Sequence, residues 1–176
     1  MKYFRKKINF FIILLFFITN AYSDENVVYI DMNIIINNSK AGLSINKQMK
    51  KLIDQNNKDY ENIEKKLIKE ENDLLKKKNV LDPEKFNEEI NNFRVKINDF
   101  KKKRKNTIEN IKNKNVEAKS ELVNYVTKIL AQYSQENNLS LVLNKESIII
   151  GKKEIDITEK ILELLNREIK DIKLKN

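Results

Sequence analysis

Apolar residues recur at steps of three and four through two stretches of this chain, and its single proline stands between them. The first stretch runs Met49, Ile53, Tyr60, Ile63, Leu67, Leu74, and the second runs Phe86, Ile90, Phe93, Ile97, Phe100, Ile111. Such spacing keeps one side of an α-helix along a line, the pattern of paired helices. Asn56 and Glu70 interrupt the first line, and Arg104 and Thr107 the second. Polar residues at these positions lower stability while fixing register. Lys76, Lys77 and Lys78 suit the negative end of a helix, Asp82 suits a cap, Pro83 the first helical position and Glu84 the positive end. The chain is therefore expected to form an antiparallel hairpin arm, about 50–60 Å long at ~1.5 Å per residue. Its tip falls near Asn79 to Asp82. Folding back sets Tyr60 opposite Lys101, and the run Lys101-Lys102-Lys103-Arg104-Lys105 against a stretch holding Asp54, Asp59 and Glu61.

The flanks read differently. Val27-Val28-Tyr29-Ile30 has the composition of a strand. Met32 to Asn38 fits either a strand or an irregular helical turn, and Asn38 or Ser39 then caps a long helix ending near Lys78. Beyond Asn115 the apolar residues Ala118, Leu122, Tyr125, Val126, Ile129, Leu130 and Tyr133 spread around the helix, so this part is buried on several sides. Leu139 to Leu143 and Ser147 to Ile150 read as two short strands around an Asn144-Lys145-Glu146 turn. Asp156-Ile157-Thr158-Glu159 has capping-box spacing before a last helix bearing Ile161, Leu162, Leu164, Leu165 and Ile169.

The expected fold is α+β: a β-rich body built from 24–45 and 116–176, with 46–115 inserted as a coiled-coil arm. Three short strands make too little sheet to close alone, and open edges invite pairing. Oligomerisation through the body follows, with Val28, Ile30, Leu141, Leu143, Ile148 and Ile150 as candidate contacts.

Composition refines this picture. Lys2, Arg5, Lys6 and Lys7 precede an apolar run from Ile8 to Ile18, and Ala21-Tyr22-Ser23 places small residues as at a cleavage site. That is a secretory signal peptide, residues 1–23; its apolar run is about half the ~20 residues a bilayer requires. Without cysteine, neither a lipid-modified cysteine nor a disulfide framework is available. Losing four basic residues with the signal lowers the net charge from +9 to +5. Asn46 to Asn115 holds 20 basic and 13 acidic residues, so the arm is basic and the remainder of the mature chain slightly acidic.

Catalysis finds little support. With no His and no Cys, the commonest general base and the thiol nucleophile are missing. Glu70-Glu71 and Glu88-Glu89 fit a solvated helical face. The only glycines, Gly42 and Gly151, cannot build a phosphate-cradling loop, so no enzyme activity and no cofactor are expected. A nucleic-acid binder would use Lys76 to Lys78 and Lys101 to Lys105 on phosphates, but export separates the chain from that ligand. A structural coiled-coil spacer of the envelope is the alternative.

Val27-Val28-Tyr29-Ile30-Asp31, Ser39-Lys40-Ala41-Gly42 with Gln48, the stretch Tyr133 to Asn144, and Asp156-Ile157-Thr158-Glu159-Lys160-Ile161-Leu162 together resemble the OmpH/Skp family of periplasmic chaperones. The resemblance covers essentially the whole mature chain. It implies a jellyfish-like homotrimer in the periplasm, with short strands from three chains forming a trimerisation body and three arms enclosing a cavity. It also implies an ATP-independent holdase for unfolded outer-membrane β-barrel proteins. An anionic membrane surface or lipopolysaccharide is a further expected partner, and nucleic acid is not. Apolar residues lying off the seam are the candidate client contacts: Leu52, Ile68, Leu75, Val95, Ile108 and Val116. Lys101, Lys102, Lys103 and Lys105 are expected to add attraction for acidic segments.

Overall fold

The computed structural model describes residues 26–175; the expected signal peptide lies outside the described residues. Strand β1, Val27–Ile30, leads into helix α1, Met32–Asn38, and the long helix α2, Lys40–Lys77. A turn at 78–82 reverses the chain into α3, Pro83–Glu136. Strand β2, Leu141–Asn144, two short 3-10 turns and helix α4, Thr158–Glu168, follow.

Capping residues set each junction. The Asp31 carboxylate accepts from the Ile34 N–H at 3.1 Å and starts α1, settling as helix a stretch that could also have been strand. Ser39 both ends α1, by donating its N–H to Ile35 O at 3.1 Å, and starts α2, where its Oγ accepts from the Gly42 N–H at 3.1 Å. The two helices meet so closely that a Cβ on Gly42 would lie 1.7 Å from the Ile36 carbonyl oxygen. Only glycine fits this corner. Asp82 caps α3 as expected, accepting from the Glu84 N–H at 2.9 Å, with Pro83 in the first turn. At its other end Asn138 takes the left-handed conformation, φ 51°, and the Leu139 N–H bonds back to Ser134 O at 2.9 Å. This is a Schellman-type stop with asparagine in glycine's usual place.

Helices α2 and α3 run antiparallel, and the alternation read from sequence survives with a small displacement. Tyr60 sits between Phe100, whose ring centroid is 5.8 Å away, and Thr107, whose hydroxyl is 2.6 Å from the Tyr60 Oη. The pairing is thus shifted by less than one turn from Tyr60 opposite Lys101. Met49 and Leu74 are buried along the seam, whereas Ile53 and Ile63 remain 42% exposed.

The core lies where α3 enters the body. Ile35, Ala41, Ile45 and Met49 pack against Ala118, Leu122, Val126 and Ile129, and Ile161, Leu165 and Ile172 close the cluster. The spread of apolar positions after Asn115 marks this burial correctly.

The body is less β-rich than expected. β1 and β2 pair in parallel, Val27 with Leu141 through Ile30 with Asn144, as a two-stranded sheet. Tyr29 makes one further bridge to Asp156 on the other edge of β1. Ser147 to Ile150 is not a strand. Lys145–Ser147 forms a 3-10 turn in place of a hairpin turn, with Asn144 extended at φ −82°. Side chains also tether that turn to α1: Glu146 accepts from Asn33 at 2.6 Å, and Lys145 lies 3.4 Å from Asp31. The capping box before α4 is half-formed. Asp156 Oδ1 accepts from the Thr158 N–H at 2.9 Å, but the Asp156 N–H bonds Lys153 O at 3.1 Å, leaving no reciprocal role for Glu159.

Candidate interaction surfaces

Polar residues break the seam of the helix pair at two levels, and each break has its own consequence. Near the tip Glu70 meets Lys96, and Lys77 meets Glu89 at 3.0 Å, so charges cross between the helices and tie the register. Nearer the body, Asn56, Arg104 and Thr107 leave a groove of about 410 Å³ floored by Met49, Ile53 and Ile111. Asn115 borders it, and its Oδ1 is buried without a hydrogen-bond partner.

Aliphatic side chains stand out along the same helices. Ile68, Leu75, Val95, Ile108 and Val116 are between 52% and 60% exposed, as their off-seam positions imply. Leu52 differs, being half-buried. Val80 at the hairpin tip is 81% exposed and Leu43 in the first turn of α2 is also open. Neither was singled out from sequence, because neither sits in a periodic run; an apolar residue inside a turn was the only available signal for Val80.

The cationic run on α3 does not pair with the acids expected opposite it. Among the described residues no ion pair involves Lys101, Lys102, Lys103, Arg104 or Lys105. Each acid expected opposite them bonds elsewhere or stands apart. Glu61 pairs with Lys65 one turn along its own helix at 2.6 Å. That ammonium holds the Glu61 carboxyl below its ordinary range, by the hydrogen bond first and by charge second. Asp59 accepts from Gln55 at 3.0 Å. The basic run therefore presents its charge to solvent.

The body offers a second surface. Val28 and Ile30 are buried inside the chain's own core, so their side chains are already satisfied. Leu143 and Ile148 are half-buried, Leu141 is 50% exposed, and Ile150 is almost fully exposed together with Ile149 beside it. The outer edge of β2 and the apolar residues after it thus form an open rim. Gly151 folds back over Tyr29, where an added Cβ would lie 3.0 Å from the ring.

The sequence profile of outer membrane proteins of the OmpH-like type matches residues 26–165. A solved structure of a candidate outer membrane chaperone (OmpH-like) from Caulobacter crescentus is similar in fold, with a TM-score of 0.80 at 18% identity. The match spans 90% of this chain and 94% of that one. No curated protein matches the chain.

Proposed function

Because this chain belongs to the OmpH-like outer membrane protein family, we infer that it is an ATP-independent holdase chaperone that shields unfolded outer-membrane β-barrel proteins in the periplasm. The observation that carries this reading is the row of half-exposed aliphatics lying off the seam of a long helix pair. A spacer gains nothing from them. An unfolded outer-membrane strand alternates apolar and polar residues, and shallow apolar contacts spread along a rod match it without demanding one sequence.

Three chains joined through the rim at Leu141, Ile149 and Ile150 would set three such rods around one client, with 46–115 as arm and the flanking segments as body. Individually weak contacts then act together, since the effective concentration of a second arm is high once the first has bound. Lys101, Lys102, Lys103 and Lys105 add attraction for acidic client segments or an anionic membrane surface, screened over about 8 Å at physiological salt. Release is passive, toward a more stable destination in the outer membrane. No catalytic step is assigned to the chain.

The test dilutes an unfolded outer-membrane barrel protein from urea and follows light scattering. The mature protein is expected to suppress aggregation near one trimer per client. Scattering unchanged at several-fold excess overturns the reading and leaves the spacer.

A further inference from the structure

Residues 169–175 lie beyond the stretch that the family profile matches, and they run as an extended strap over the root of the helix pair. The strap alternates. Ile172 is 3% exposed and Leu174 is half-buried against the core, while Asp171, Lys173 and Lys175 face outward. Its seat imitates the edge of a sheet. The Gln48 side chain donates from Nε2 to Ile172 O at 2.8 Å, and its Oε1 accepts from the Leu174 N–H at 3.2 Å. A single amide thus bonds residues i and i+2 of an extended segment, as a strand partner does. Around it, Ser44 Oγ bonds Asp171 Oδ1, Gln48 Nε2 also approaches Ser44 Oγ and Asp171 Oδ1 at 3.1 and 3.3 Å, and Lys114 Nζ donates to Lys175 O at 2.6 Å.

We propose that this seat is a peptide-binding groove for extended segments of alternating apolar and polar residues, occupied in the free protein by the chain's own strap. The inference rests on the holdase reading, because such a segment is what an unfolded outer-membrane strand presents. The backbone bonds to Gln48 are blind to sequence; the pocket of Ile172 asks only for an apolar side chain with polar neighbours. A tethered occupant competes through its effective concentration, so it yields readily to a client of many strands and to a lone short peptide only at higher concentration. The strap is a stand-in for the guest.

The chain has no cysteine, so Ser44→Cys with Asp171→Cys introduces one lockable pair in the full chain. The probe is a fluorescent peptide of residues 169–176. The reduced double variant is expected to bind it and the oxidised, strap-locked form to bind several-fold more weakly, with capture of the unfolded barrel protein falling in parallel. Equal binding in both states, or binding in neither, shows a purely structural clasp and overturns the proposal. Should the pair disturb folding, the chain shortened after Lys170 has to bind the same peptide in trans, and failure to do so is equally decisive. Wild-type protein that fails to suppress aggregation removes the holdase reading by itself, while the peptide result still decides the groove.

Discussion

Ser39 and Gly42 show how much a single residue can fix. Ser39 is fully buried, ends one helix and begins the next, and Gly42 lets the two backbones touch. Gly42→Ala forces a methyl into the Ile36 carbonyl, so it is expected to destabilise by about 1–3 kcal/mol or more, as overpacking does. The urea midpoint measures this, and a midpoint within error of wild type would mean the corner relaxes freely. The Ser39 cap was legible because serine before a helix has one common use. The need for glycine was not, since it arises from a carbonyl six residues earlier whose path is set only by the fold. Gln48 is similar: the sequence marked it as part of a helix start, whereas its amide binds a segment more than 120 residues away.

At the scale of elements, the hairpin was the most legible part. A period of three and four, a proline, a cap and clustered lysines all point to the same turn at 78–82. Asp82→Ala removes the bond to the Glu84 N–H and should cost about 1 kcal/mol, felt locally. Hydrogen exchange is the measurement: amides of the first turn of α3 are expected to exchange roughly fivefold faster, with those near Leu122 and Ile161 unchanged. Uniform acceleration would show that tip and body melt together. Register was less legible, because Tyr60 can fill either of two neighbouring gaps and the choice depends on how Phe100 and Thr107 meet it. The third expected body strand, Ser147 to Ile150, is absent for a physical reason: Ile148-Ile149-Ile150 has strand composition, but composition does not supply a partner.

For the whole molecule, the open rim is the feature with the largest reach. Ile149 and Ile150 stand in solvent beside an unpaired edge of β2, and exposed apolar residues beside an open edge mark an interface. On the proposed assembly, the wild-type protein is expected to sediment as a trimer and Ile149→Asp with Ile150→Asp as a monomer, with helical circular dichroism unchanged. A trimer that persists would move the assembly site elsewhere. The architecture as a whole was readable because strands at both chain ends can meet only if the middle is expelled. Helix α3 then has a mechanical consequence. It continues without a break from the hairpin tip into the core, about 80 Å at ~1.5 Å per residue, with Ala118 to Ile129 gripped by the body. A rod held over a fifth of its length works as a lever. A repacking of about 1 Å across the gripped part sweeps the far end by roughly three times as much, so the position of the tip is governed by a few aliphatic side chains deep inside the fold.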